Sequence, residues 1–126
     1  MSELKGKKFD LEERTAKFGG DIVSFAKSVP KNPVTISLIS QLVRSGTSVG
    51  ANYCEADNAE SRNDFKHKIG ICKKESKETK HWLRMISVAE PGLSDLVGPL
   101  LQETKELNLI FNAIVNSTNK NNIIDS

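Results

Sequence analysis

The chain has 126 residues, 37% of them hydrophobic and 6% aromatic, so it can bury the core of one domain but cannot hold a large enzyme architecture. The charged fraction of 27% and the two cysteines argue against wholesale disorder and against a disulfide scaffold. The net charge of +2 does not by itself indicate a nucleic-acid partner. The charge is unevenly placed, because residues 61–90 hold eight bases and four acids whereas residues 91–126 hold two bases and four acids.

The sequence carries no predicted signal peptide or membrane span. Its lysine-rich start, residues 1–8, is followed by the charged segment 9–13 and not by an apolar region, and no window approaches the roughly 18 apolar residues of a membrane helix. Cys54 and Cys72 lie in helical patterns without Cys-x-x-Cys spacing, which is typical of free, buried thiols in a reducing compartment. These observations predict a cytoplasmic protein.

The first helical pattern runs from Leu11 to Val29, where apolar or small residues recur at alternating spacings of four and three, and it is predicted to end before Pro30. Gly19 and Gly20 lie in its middle, and each costs about 1 kcal/mol relative to alanine in a helix. This pair either permits the close approach of another helix or loosens the helix locally.

A second helix is predicted to begin at Asn32-Pro33, because asparagine caps free backbone amides and proline at the first helical position loses no hydrogen bond. Within it, the segment 45–51 contains almost only small side chains. Tight packing against a neighbouring helix is one explanation. The alternative, a phosphate-binding loop, needs a glycine-rich turn before a helix, and Gly46 and Gly50 match no such motif.

Ser61, followed three residues later by Asp64, predicts the start of a third helix that ends near Ala89, because Pro91 follows. Its apolar or small face consists of Phe65, Ile69, Cys72, Ser76, Thr79, Leu83 and Ile86.

A fourth amphipathic helix is predicted from the apolar spacing over residues 96–114, ending in the polar run 116–122. Four helices with short connections predict an all-α fold, an up-and-down antiparallel four-helix bundle. We expect the bundle to span residues 9–118, with a flexible N-terminus at 1–8 and a polar C-terminal tail at 119–126.

A row of positive charge follows the third helix, rotated by about 100° from its apolar face. A solvated face with local ion pairs is one explanation. The other is phosphate binding, because evenly spaced cations on a rigid helix can follow a nucleic-acid backbone without reading its sequence. This basic stripe consists of Arg62, Lys66, Lys73, Lys77, Lys80 and Arg84.

The opposite flank of the third helix mixes carboxylates with large apolar groups. Such a surface is costly to expose and suits a subunit interface, and a wider monomer core is the alternative. Arg44 and Arg84 are candidate partners for the carboxylates. This flank begins with Lys68, and its residues assigned to the interface are Ile71, Glu75, Glu78, Trp82 and Met85.

No catalytic motif is present. Carboxylate-bundle metal sites need Glu-x-x-His on two helices, whereas Glu78-x-x-His81 occurs once and Asp64-x-x-His67 lies on the same helix about 21 Å away. A nucleophilic cysteine paired with either histidine lacks any activating motif. We therefore expect no enzyme activity, no metal and no cofactor.

Residues 9–89 resemble the bacterial proteins first noticed as reading frames in the intervening sequences of 23S ribosomal RNA genes. The resemblance rests on the pattern Arg-x-x-x-Ser-(Ile/Val)-x-x-Asn-x-x-Glu-(Gly/Ala), followed downstream by Phe65 and by the segment 76–79, Ser-Lys-Glu-Thr. The residues that match the pattern are Arg44, Ser48, Val49, Asn52, Glu55 and Ala56.

This resemblance implies a four-helix bundle that assembles as a homopentamer. It also implies a relation to accessory proteins of diversity-generating retroelements, which bind nucleic acid and a reverse transcriptase. Carried over by position, the family-typical polar residues are expected to be structural or interfacial. They are Arg44, Asn52, Glu55, Glu75 and Glu78.

The resulting hypothesis is a non-enzymatic, oligomeric helical bundle that binds RNA or DNA non-specifically through the basic stripe. The alternative is a protein–protein scaffold, or an accessory subunit of a reverse transcriptase, without direct nucleic-acid contact. Neither hypothesis involves a membrane.

Overall fold

The computed structural model describes the backbone of residues 2–125 and the side chains of residues 11–119. Four helices follow one another: α1 (Ser2–Ser28), α2 (Pro33–Asp57), α3 (Arg62–Ala89) and α4 (Ser94–Asp125). A single 3-10 turn at Pro91–Leu93 links α3 to α4, and the described backbone contains no strand. Successive helices pack against each other, which confirms the all-α, up-and-down four-helix bundle.

The predicted helix starts are confirmed by their caps. The Asn32 side-chain oxygen accepts hydrogen bonds from the backbone amides of Val34 and Thr35, both at 3.0 Å, while the Thr35 hydroxyl accepts one from the Asn32 amide at 2.9 Å. The Ser61 hydroxyl accepts a hydrogen bond from the Asp64 amide at 3.0 Å. Each cap satisfies donors that the first turn of a helix leaves without partners.

The end of α4 lies beyond its predicted position. The helix continues through the polar run from Asn116, because no glycine or proline follows Pro99 and because Thr118 is buried and donates a hydrogen bond to the Ile114 carbonyl at 2.9 Å. The predicted flexible N-terminus at 1–8 and, apart from Asn119, the predicted polar tail lie outside the residues whose side chains the structure describes.

Glycines bring α1 and α2 close together, so the tight-packing explanation for residues 45–51 is the correct one. A β-carbon built at Gly46 would lie 2.8 Å from Ile22 Cγ2, and one at Gly50 would lie 3.3 Å from the Thr15 carbonyl oxygen. A β-carbon built at Gly19 would lie 3.6 Å from the Gly46 carbonyl oxygen, whereas one at Gly20 would meet nothing within 4 Å. The glycine pair of α1 therefore permits close approach at one position, and the helix remains continuous.

The two cysteines differ in burial. Cys72 is buried and donates a weak hydrogen bond to the Val49 carbonyl at 3.5 Å, and burial raises the pKa of its thiol to about 12. Cys54 is exposed, so the prediction that both thiols are buried was wrong for this residue. Tyr53, the preceding residue of α2, is buried in the core. Successive residues of a helix point in different directions, so Cys54 faces solvent.

Candidate nucleic-acid interface

The basic stripe lies along the outer side of α3. Arg62, Lys77, Lys80 and Arg84 are exposed, whereas Lys66 and Lys73 are half-buried. At 1.5 Å per residue the stripe is about 33 Å long. Residues three and four apart are neighbours on a helix surface, so the side chains from residue 73 to residue 84 form a continuous row.

The carboxylates of this part of the molecule are directed elsewhere. Within the described side chains, no member of the row Lys66, Lys73, Lys77, Lys80 and Arg84 forms a salt bridge. Glu75 and Glu78 bind Arg44 on the other flank of α3, while Glu55 binds Lys68 at 3.0 Å. These five members of the stripe therefore present their positive charge without local neutralisation by ion pairs.

A narrow cleft beside the stripe adds a cation from α4. The cleft has a volume of about 120 Å³, and Lys77, Lys80 and Lys105 line it together with Asn108 and Ser76. The Asn108 amide donates hydrogen bonds to the Lys73 carbonyl at 2.9 Å and to the Ser76 hydroxyl at 3.0 Å. These bonds fix α4 against α3 at the cleft, so Lys105 is held beside the stripe.

The hydrogen-bond donors of the cleft floor are already engaged. Both amide bonds of Asn108 go to α3, the Ser76 hydroxyl donates to the Lys73 carbonyl at 2.8 Å, and the Thr104 hydroxyl donates to the Leu100 carbonyl at 2.6 Å. An anion at this cleft would consequently be held by the flexible ammonium groups at its rim. Such contacts recognise the charge of a phosphate and do not distinguish one base sequence from another.

The family model of the 23S rRNA-intervening sequence proteins matches residues 7–113. The chain belongs to that family. A crystal structure from Bacteroides thetaiotaomicron, described as a protein with unknown function from the S23 ribosomal protein family, is 29% identical with a TM-score of 0.74. The similarity covers 83% of this chain and 97% of that chain. No curated protein matches the sequence.

In this intervening-sequence family protein, Arg44 joins α2 to α3. Its Nη1 donates to Glu75 at 3.0 Å and its Nη2 donates to Glu78 at 3.1 Å, so Arg44, and not Arg84, is the partner of both carboxylates. Glu75 is buried, while Glu78 and Arg44 are partly exposed. Burial, followed by a hydrogen bond with Glu78, raises the pKa of Glu75, whereas the bond with Glu75 lowers the pKa of Glu78.

Replacing Arg44 by alanine is expected to destabilise the fold by about 1–3 kcal/mol at neutral pH, less than for a fully buried pair because Arg44 is partly exposed. The raised folded-state pKa of Glu75 means that the folded state binds more protons, so the stability contributed by this group falls as pH rises through that pKa. Removing Arg44 leaves the buried carboxylate unpaired, and protonation relieves that cost.

The loss of stability should therefore shrink as pH falls from about 7 toward about 5. Urea unfolding of wild type and Arg44→Ala at both pH values measures it. Arg14→Ala provides the matched control: this partly exposed arginine pairs with Glu103 at 2.7 Å and Glu106 at 3.0 Å, and hydrogen bonds from Gln102 and Arg14 lower the pKa of Glu106, so that carboxyl does not take up its proton over this pH range. A loss for Arg44→Ala that grows toward acid would contradict this assignment.

The apolar flank of α3 is only partly covered by its own chain. Ile71, Trp82 and Met85 are half-buried, and Trp82 packs against the core. The ring of Trp82 also contacts the His81 ring edge-to-face, with 4.9 Å between the ring centroids. Trp82 Nε1 is buried and has no acceptor among the described side chains and backbone. The wider-core explanation thus accounts for the buried part of the Trp82 side chain. Ile71 and Met85 remain partly exposed at the surface.

The residues considered for catalysis do not converge. His67 and His81 are exposed on the outer side of α3, while Cys72 lies in the core. Among the side chains of residues 11–119, no three histidine, cysteine, aspartate or glutamate groups come together as metal ligands. Within residues 2–125, no helix combines the length and apolar character required to cross a membrane.

Proposed function

We propose that this family member is a non-enzymatic protein that binds RNA or DNA through the α3 stripe and Lys105. The observation that carries this proposal is the row of cations from Lys66 to Arg84, which form no salt bridge among the described side chains and lie next to a flank where the carboxylates are already paired. A solvated surface of no function would be expected to intersperse charges of both signs. A one-sign row from Lys66 to Arg84, about 27 Å long at 1.5 Å per residue, matches the repeating charge of a nucleic-acid backbone.

Binding of this kind is electrostatic and independent of sequence. If about six phosphates are contacted, the logarithm of the affinity falls with the logarithm of salt concentration with a slope of about −5 for duplex DNA. The affinity then drops by roughly a thousandfold between about 50 and 200 mM salt. The chain should show little preference among mixed sequences of equal length, because lysine contacts phosphates as a point charge.

A salt titration tests the proposal. Fluorescence anisotropy with mixed-sequence RNA and duplex DNA should show binding at low salt and the steep slope above. Absence of binding to either probe at low salt would refute it and favour the alternative, a protein–protein scaffold or an accessory subunit of a reverse transcriptase, as the relation to diversity-generating retroelement proteins implies.

We propose further that the chain assembles as a homo-oligomer, a pentamer by family resemblance, through Ile71, Glu75, Glu78, Trp82 and Met85. The half-buried apolar side chains of this flank support an interface there. Assembly would place several basic stripes on one particle and strengthen the binding of long nucleic acids by multivalency.

Light scattering tests this assembly. The wild-type particle should have a mass several times 13.9 kDa, and Trp82→Ala should shift it toward the monomer because a large part of the apolar contact is removed. Trp82→Phe is the matched control: it retains a large aromatic ring and should keep the oligomer. A monomeric wild type, or an unchanged mass for Trp82→Ala, refutes the interface.

A further inference from the structure

We infer that a depression at Gly70 in α3 seats one phosphodiester group of the bound strand. This inference rests on the proposed function and adds a defined contact to it. The depression is open to solvent, has a volume of about 510 Å³, and is lined by Lys66, His67, Lys74 and Asn63 around the glycine. It lies between the basic stripe and the apolar flank, with Ile71 on its far side.

The fold itself does not require glycine at position 70. A β-carbon built there would meet nothing within 4 Å, and the described glycines all have ordinary helical backbone with negative φ. Glycine within a helix is less stable than alanine, because it loses more backbone freedom on folding. Gly46 and Gly50 differ, since neighbouring α1 atoms occupy the space that their side chains would need. At Gly70 the space is left open toward solvent.

Two lysines, Lys66 and Lys74, line this space together with His67. The helix positions that flank residue 70 are three and four residues away, and they hold Lys66, His67, Lys73 and Lys74. No carboxylate lines the depression. Glu78 is close enough to Lys74 for their charges to interact, but its carboxylate is bound to Arg44.

The missing side chain and the ammonium groups of Lys66 and Lys74 have a joint consequence. A phosphate between Lys66 and Lys74 can approach the helix backbone at Gly70 more closely than at the neighbouring positions, where a side chain intervenes. A phosphodiester, which carries a single negative charge, matches this surface, because it would be attracted by the charges of Lys66 and Lys74 and could lie close to the helix at Gly70. The inferred seat also places Lys74, which lies outside the basic stripe, in contact with the bound nucleic-acid strand.

Two pairs of variants test the seat. Gly70→Ala and Gly20→Ala should each raise the Tm by roughly 2–4 °C, because both positions are helical and have open space around the β-carbon. Gly70→Leu, which fills the depression, should weaken binding of mixed-sequence single-stranded RNA about tenfold near 0.1 M salt and lower the salt slope by about 1. Gly20→Leu, on α1, should leave binding unchanged.

Lys74→Gln provides an independent measurement and should also lower the salt slope by about 1. Wild-type affinity for both Gly70→Leu and Lys74→Gln would overturn the seat while leaving the proposed function intact. If the wild-type protein itself does not bind RNA or DNA at low salt, the proposed function fails, and the seat fails with it.

Discussion

Replacing Lys73, Lys77 and Lys80 together by glutamate is expected to weaken nucleic-acid binding by at least about 100-fold near 0.1 M salt and to lower the salt slope by about 3. These side chains form the continuous part of the stripe, and two of them share the cleft with Lys105. Reversal removes three phosphate contacts and adds repulsion at the same places. Anisotropy titrations at several salt concentrations measure both quantities.

The matched control is the triple variant at Lys17, Lys27 and Lys31, which changes the net charge equally but lies on α1 and at its end. It should retain most of the wild-type affinity, because these residues lie away from α3. Circular dichroism should show helical spectra for both triple variants. Equal losses for the two would show that net charge, and not the α3 surface, governs binding.

The elements of the fold were predictable because their signals are local. Asn32 and Ser61 start helices through hydrogen bonds to residues two or three positions away. The spacing of apolar residues then identifies which face of each helix is buried. The end of α4 was placed too early because a polar run lowers helix propensity without ending the helix, and no glycine or proline stop signal follows Pro99.

The site was predictable only in part, since its remaining residues depend on the register between helices. Lys105 lies on α4, and its position beside Lys77 and Lys80 follows from how α4 packs on α3, which no single-helix pattern contains. Asn108 was also missed, although its hydrogen bonds to the Lys73 carbonyl and the Ser76 hydroxyl fix that register. An antiparallel alignment of the two apolar faces could have suggested the contact.

The partner of Glu75 and Glu78 was also predictable only in part. Arg44 was one of two candidate partners for Glu75 and Glu78, and helix periodicity could not choose between Arg44 on α2 and Arg84 on α3 itself. Residues 75 and 84 lie nine positions apart on one helix, about 13 Å along its axis, which is too far for a direct ion pair. That distance could have excluded Arg84 from the sequence alone for Glu75.

Replacing Gly46 by alanine is expected to destabilise the bundle by about 1–3 kcal/mol, the usual cost of overpacking, despite the better helix propensity of alanine. The new methyl group would lie 2.8 Å from Ile22 Cγ2, 3.0 Å from Cγ1 and 3.2 Å from Cβ. Ile22 is fully buried and β-branched, so it has few alternative rotamers and no space to move into. Urea unfolding measures the loss.

Alanine at Gly46 should thus lower stability where alanine at Gly20 raises it, although both glycines lie inside helices. The difference is predicted by the surroundings of the β-carbon and not by propensity. If Gly46→Ala proves as stable as Gly20→Ala, then α1 and α2 are not packed as closely as the Gly46–Ile22 contact implies.

A double-mutant cycle with Ile22→Ala isolates the contact. That change alone should cost about 2–5 kcal/mol, because it leaves a cavity in the core. It also removes both γ-carbons that the new methyl group at position 46 would strike. The double variant should therefore be less destabilised than the two single losses added together, by about 1–2 kcal/mol of coupling. Simple additivity would mean that Gly46→Ala acts through some other part of the bundle, since two residues in contact must share the cost.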